Sequence, residues 1–150
     1  MRARFGGGGG IVATTAGATT LTITAASHAG RTVTLNNTAP IAVTLPQATG
    51  TGSRYRFWVG VVATATASTI KVANATDVMA GYAFCVTTSS DNAEGFKTSA
   101  SSDTISLNGT TLGGVVGDII DIEDVKTGVF AVRMFTAPTG TEATPFSASV

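Results

Sequence analysis

Thr20-Leu21-Thr22-Ile23-Thr24, followed by Thr32-Val33-Thr34-Leu35, places aliphatic side chains at every second position with hydroxyls between them. A period of two puts the aliphatics on one face of an extended chain and the hydroxyls on the other, which describes a strand with one buried side. The pattern continues through Ile41, Val43 and Leu45, and then through Tyr55, Phe57 and Val59, where Arg54 and Arg56 take the opposite face. Half-polar strands of this kind point to antiparallel pairing. Further strands are expected at residues 69–73, 82–87, 104–107, 118–124 and 129–135. About nine or ten short strands divided by turn signals predict an all-β chain, an antiparallel β-sandwich or a jelly-roll-like barrel.

The turn chemistry agrees with that reading. Asn36-Asn37 precedes Pro40, Gly50-Thr51-Gly52 follows Pro46, Asn108-Gly109 is a two-residue hairpin signal, and Lys126-Thr127-Gly128 precedes the strand at Phe130. Helix signals are nearly absent, because the longest run free of glycine and proline, residues 61–80, is rich in β-branched residues. One helical turn is expected at Val78-Met79-Ala80, with Asp77 as its N-cap and Gly81 as its stop. The echo between Ala48-Thr49-Gly50-Thr51-Gly52 and Pro138-Thr139-Gly140-Thr141 is explained by turn composition without a duplication.

Two ends fall outside the strand pattern. Residues 1–10 read as a flexible arm in which Arg2, Arg4 and Phe5 are tethered by the run from Gly6 to Gly10. Residues 11–150 read as a single β domain, with an irregular tail from about residue 137 that carries Pro138, Gly140 and Pro145 and that is either disordered in isolation or ordered by a neighbour.

Composition narrows the function classes. The 150 residues carry nine basic and nine acidic side chains, only 12% of the chain, so no long-range field draws in nucleic acid or an anionic membrane. A surface so poor in charge gives little colloidal repulsion and hints at assembly. One cysteine cannot form an internal disulfide, and one histidine cannot build a His cluster for zinc. No run of about 18 strongly apolar residues is present, and Met1-Arg2-Ala3-Arg4-Phe5 leads into glycines where a signal peptide needs an apolar core.

Candidate chemistry is sparse, and neither a catalytic centre nor a cofactor is expected. His28, in Ala26-Ser27-His28-Ala29-Gly30, reads as a surface-loop histidine, and no G-x-S-x-G elbow accompanies it. Cys85, in Phe84-Cys85-Val86, reads as a small hydrophobe. Asp118, Asp121, Glu123 and Asp124 form the densest acidic group; alternation puts Asp121 and Glu123 on one face opposite Ile120 and Ile122, a solvated or interface face. A loosely held ion there would lack the EF-hand spacing. Gly113-Gly114-Val115-Val116-Gly117 has no phosphate-binding lysine and reads as a loop. Arg54 and Arg56 beside Tyr55 and Phe57 suit single-stranded nucleic acid less well than inter-strand or inter-subunit ion pairs with partners such as Glu123.

Several strings carry a resemblance. Gly30-Arg31-Thr32-Val33-Thr34-Leu35-Asn36 and Ile41-Ala42-Val43-Thr44-Leu45-Pro46-Gln47-Ala48-Thr49-Gly50-Thr51-Gly52-Ser53-Arg54-Tyr55-Arg56-Phe57 resemble the start of small head proteins of tailed bacteriophages. Ile70-Lys71-Val72-Ala73-Asn74, Asp103-Thr104-Ile105-Ser106-Leu107-Asn108-Gly109-Thr110-Thr111, Gly113-Gly114 with Gly117-Asp118, and Thr139-Gly140-Thr141-Glu142-Ala143-Thr144-Pro145-Phe146 extend it over about residues 30 to 148. The pattern is similar to capsid decoration, or cement, proteins; its Val43-to-Phe57 portion also resembles tail-fibre modules. The resemblance implies a non-enzymatic all-β homotrimer on the outer capsid surface of the virion, bridging neighbouring major capsid subunits. Arg2, Arg4 and Phe5 of the arm, and Arg54, Arg56 and Glu123 of the body, are the expected capsid or subunit contacts.

Overall fold

The computed structural model describes residues 10–15, 17–64, 66–87 and 93–150. Twelve strands and one helical turn follow one another as β1 (Ile11–Ala13), β2 (Thr20–Thr22), α1 (Ala25–His28), β3 (Thr32–Leu35), β4 (Ala42–Thr44), β5 (Arg54–Val59), β6 (Ser68–Lys71), β7 (Val78–Val86), β8 (Ala93–Lys97), β9 (Thr104–Leu107), β10 (Ile119–Lys126), β11 (Val129–Thr136) and β12 (Phe146–Ser147). The fold is all-β, built of two mixed sheets. One has seven strands in the order β1-β3-β5-β10-β11-β7-β8; the other has five, in the order β12-β9-β6-β4-β2. Among the described residues, no helix is long and apolar enough to cross a membrane.

The expectation of purely antiparallel pairing is corrected. Pairs β1–β3 and β3–β5 are parallel, as are β2–β4, β4–β6 and β7–β11. The reason is the path of the chain. From β1 to β6 each strand is followed by one in the other sheet, so the chain returns to each sheet running in the same direction. Parallel neighbours need such a crossover, and here the opposite sheet supplies it in place of a helix. Successive returns take 21 and 24 residues in the larger sheet (Ile11 to Thr32 to Arg56) and 22 and 27 in the smaller (Thr20 to Ala42 to Thr69). These are stacked coils of a solenoid in backbone terms. Their unequal lengths leave no fixed period in the sequence.

From β7 onward the pairing is mostly antiparallel. β7 and β8 form one hairpin, and β10 and β11 form another across Lys126-Thr127-Gly128, with a register shift between Asp124 and Lys126. β10 also lies antiparallel to β5, and this pairing joins the coiled half of the chain to the hairpins.

The alternation read from the sequence sorts the side chains as expected. Tyr55, Phe57 and Val59 of β5, Ile120 and Ile122 of β10, and Phe130, Val132 and Met134 of β11 point into one core cluster. Val43 of β4, Ile70 of β6, and Ile105 and Leu107 of β9 enter the same cluster from the smaller sheet. Each fully buried aliphatic or aromatic side chain contributes roughly 1.5–3 kcal/mol.

Three local expectations are overturned. Val78-Met79-Ala80 is extended, because β7 runs straight through Gly81; Asp77 caps no helix but accepts hydrogen bonds from the Ala48 amide (2.8 Å) and the Asn74 side chain (3.0 Å). Among the described residues the one helical turn lies instead at α1, capped by Thr24. The tail beyond residue 137 is tied down by the chain itself. Phe146 and Ser147 pair with Ile105 and Thr104, and the Ser149 and Val150 amides donate to the buried Asp103 carboxylate at 2.7 and 3.3 Å. Finally, Asn108-Gly109 turns the chain without making a hairpin. Asn108 Oδ1 accepts from the Thr110 and Leu112 amides, and the strands beside β9 are β6 and β12.

Gly109 and Gly52 both adopt a φ of 73°, which favours glycine, but a Cβ on Gly109 would also lie 2.0 Å from the Ala63 carbonyl oxygen, whereas nothing lies within 4 Å at Gly52. Gly52→Ala is therefore expected to cost about 1–2 kcal/mol of backbone strain. Gly109→Ala is expected to cost clearly more. Paired thermal or denaturant unfolding of the two variants checks this, and equal losses would mean that the Ala63 contact is unimportant.

Candidate functional site

The outward face of the larger sheet gathers the charged and aromatic side chains that the core rejects. In β5 every second residue points out, which presents Arg54, Arg56 and Trp58. β10 does the same with Ile119, Asp121 and Glu123. The antiparallel register sets Arg56 opposite Asp121, Arg54 opposite Glu123 and Trp58 opposite Ile119. The Arg56 guanidinium donates to both Asp121 oxygens at 2.7 and 2.9 Å, a two-pronged pair, and Arg54 reaches Glu123 at 3.2 Å. Both are inter-strand ion pairs. They are open to solvent, so each is worth only about 0–1 kcal/mol of stability.

Around them lies a shallow depression of about 340 Å³, whose wall also includes Arg31 and Arg133. Arg133 of β11 stands opposite Asp121 in the register, so that carboxylate has an arginine on the strand to either side.

One register step along the sheet the row changes character. Trp58, Ile119, Phe135 and Phe84 follow one another across β5, β10, β11 and β7, and Tyr82 joins them from the arginine row. Trp58 is 37% exposed, Phe84 44%, Tyr82 50% and Phe135 52%. Phe84 and Phe135 pack in a tilted pair with centroids 6.4 Å apart. Four aromatics on β5, β11 and β7, with Ile119 of β10 between Trp58 and Phe135, form a patch of the kind that marks an interaction surface.

Of the contact residues expected from the sequence, Arg54, Arg56 and Glu123 come together on this face, whereas Arg2, Arg4 and Phe5 lie outside the described residues. Asp121 as the partner of Arg56 was missed, as were the aromatic row and both Arg31 and Arg133, which have no ion-pair partner among the described residues. The outward positions of each strand carry the necessary signal, but strand order is needed to see that they adjoin.

The remaining candidates have structural roles. His28, the last residue of α1, is buried, not a surface-loop residue, and its ring nitrogen Nδ1 lies 3.1 Å from the amide of the N-cap Thr24. Cys85 is buried beside the Thr136 hydroxyl at 3.3 Å, and burial pushes its thiol pKa up, so it stays protonated. Asp118 and Asp124 do not share the solvated face of Asp121 and Glu123; both are buried. Asp124 follows Ile120 and Ile122 inward and there holds the chain between β4 and β5. It accepts from the amides of Thr49, Gly50 and Thr51 at 3.0, 2.7 and 3.1 Å and from the Thr49 and Thr51 hydroxyls. Asp118 accepts from the Gly114, Val115 and Ala137 amides. Both carboxylates face N–H donors, an arrangement suited to their own negative charge and not to a cation. Among the described residues no group of three or more His, Cys, Asp or Glu side chains is placed to hold a metal.

Burial alone would raise the Asp124 pKa, but the hydrogen bonds from Gly50, Thr51 and Thr49 outweigh it and hold the group below its ordinary value. The same balance lowers Asp103, where Ser149, Thr104 and Val150 donate. At Asp118 burial wins and the value is raised. The stability from Asp124 and Asp103 is thus present above the unfolded carboxylate pKa of about 3.9 and is lost as pH falls through their depressed folded values. Asp118 acts oppositely, favouring the fold below about pH 3.9 and losing that contribution as pH rises through its raised value.

Asp124→Asn should cost about 2–3 kcal/mol at neutral pH, because an amide group would then face N–H donors. The deficit should shrink below about pH 4, as wild-type Asp124 becomes protonated. Urea unfolding of both proteins across that range tests it, and a deficit independent of pH would contradict the assignment. Compared with known protein families and with curated proteins, the chain matches no family model and no curated protein.

Proposed function

We propose that the chain is a non-enzymatic structural protein of a tailed-phage virion, which binds the outer capsid surface as a homotrimer and stabilises it by bridging major capsid subunits. The observation that carries this reading is the aromatic and arginine-rich outer face of the seven-stranded sheet, rigidly backed by a single core. The sequence resemblance to decoration proteins supports it. In this reading the two sheets make a sandwich-like body, while residues 1–10 with Arg2, Arg4 and Phe5 form an arm that reaches across a joint between capsid subunits. A clamp that binds only the expanded lattice adds its binding free energy to that state alone, which strengthens a shell under pressure from packaged DNA. Many modest contacts repeated by symmetry suffice.

A second reading, a tail-fibre or receptor-binding module, is favoured by one observation. The stacked returns of β1-β3-β5 and β2-β4-β6 resemble the coils of a solenoid, an architecture that extends readily along one axis.

Copy number separates the two. Quantitative mass spectrometry of purified virions is expected to give hundreds of copies relative to the major capsid protein. A few tens or fewer would favour the fibre, and none would remove both readings. Deleting residues 1–10 is expected to lower capsid occupancy, and unchanged occupancy would exclude the arm as a contact.

A further inference from the structure

We infer that the outer face of the seven-stranded sheet is a docking surface for an acidic, apolar protein segment, whose carboxylates pair with Arg31, Arg133 and Lys97 while its apolar side chains cover Trp58, Phe135 and Phe84. The inference rests on the proposed structural role only for the identity of the partner.

The charge arithmetic comes first. Four arginines line the depression on this face against two carboxylates, and both carboxylates are already engaged, Asp121 by Arg56 and Glu123 by Arg54. Arg31 and Arg133 are exposed there and take part in neither of the two ion pairs. The row that holds Arg56, Asp121 and Arg133 continues through Tyr82 to Lys97 at the edge strand β8. Arg133, fixed on β11, and Arg31, at the bend that leads into β3, have no ion-pair partner among the described residues, and a guanidinium so placed beside an occupied pair suits an incoming carboxylate.

The apolar part of the face adjoins this row. A second depression, about 380 Å³, lies over Tyr82 and Phe84, with Lys97 in its wall and Gly95 leaving room opposite Phe84. From Trp58 to Phe84 the aromatic row crosses three strand steps, about 14 Å at the usual spacing. An extended peptide lying across the strands could therefore place an apolar side chain on this row and acidic ones beside Arg133 and Lys97. Tryptophan, tyrosine and arginine are the residue types that dominate binding energy at protein interfaces.

The same arithmetic argues against other occupants. A second copy offers few acids in return, because Asp77, Asp103, Asp118 and Asp124 are buried, and among the described residues only Glu94 and Glu142 remain unburied off this face. The formal neutrality of the chain thus hides a docking face with an excess of positive charge. A nucleic-acid duplex would satisfy the arginines through phosphates but would leave the aromatic row uncovered.

Trp58 is the single tryptophan and lies on this face, so its emission reports occupancy directly. The probe is a short synthetic peptide alternating glutamate with phenylalanine, titrated against the full chain. Saturable, salt-weakened binding with a blue shift of Trp58 is expected. The double variant Arg31→Glu, Arg133→Glu is expected to weaken it by about tenfold or more, and Phe135→Ser to weaken it at unchanged salt dependence. These positions are exposed, so the melting temperature should stay close to wild type and confirm folding. No saturable change with the peptide, equal binding by the double variant, equal binding of a lysine-for-glutamate peptide, or tighter arginine-dependent binding of duplex DNA would each overturn the inference. The same variants applied to purified capsids separate it from the functional reading. Peptide binding without capsid binding by the wild type removes the capsid partner and leaves the face, whereas capsid binding that ignores these substitutions removes the face.

Discussion

Strand β10 is the element on which the rest of the structure depends. It is the middle strand of the larger sheet, with β5, β3 and β1 to one side and β11, β7 and β8 to the other. Its alternate residues face opposite ways, Ile120, Ile122 and Asp124 inward and Ile119, Asp121 and Glu123 outward. Inward, the isoleucines close the core between the coiled half of the chain and the hairpin half. Asp124, the one charge on that side of the strand, is tolerable only because five donors from residues 49–51 surround it; a buried carboxylate without them would cost several kcal/mol. That need for donors is what anchors the connection between β4 and β5 to the sheet. Outward, the same strand positions Arg54 and Arg56 and separates Arg56 from Arg133.

Much of this was legible in the chain. The alternation of Leu21 and Ile23, Val33 and Leu35, and Tyr55, Phe57 and Val59 identified strands and assigned faces, because side-chain direction follows from the backbone alone. It said nothing of partners. A strand half covered by polar residues reads the same beside a parallel neighbour as beside an antiparallel one, so the coil path stayed hidden, and returns of 21 to 27 residues concealed it further. Val78-Met79-Ala80 departs from its local pattern for a related reason. Its local sequence allows a capped turn, but Asp77 is held by Ala48, a contact of long range that no local pattern displays. Asp124, in contrast, shares its parity with Ile120 and Ile122, so strict alternation does place it inward, away from Asp121 and Glu123.

The candidate face divides along the same line. Arg54, Arg56 and Glu123 were readable as an ion-paired group because each sits at an outward position of a clear strand. Trp58, Phe84 and Phe135 were not, since they lie on β5, β7 and β11, which come to one face only through the sheet order β5-β10-β11-β7. The aromatic and arginine face therefore emerges from sheet order, while each contributing residue looks unremarkable in its own segment. The low content of charged side chains acquires a different meaning as well. With four acids turned inward to hold loops and the C-terminus, the balance of nine against nine describes the whole chain but not the outer face of the larger sheet.

Native-state hydrogen exchange followed by NMR tests the central role of β10 most directly. Amides from Ile119 to Asp124 are predicted to exchange only through global unfolding, as the slowest set in the molecule, while those of the edge strands β1 and β8 exchange through local opening at much lower cost. Exchange of the β10 amides as fast as those of the edge strands would contradict the account.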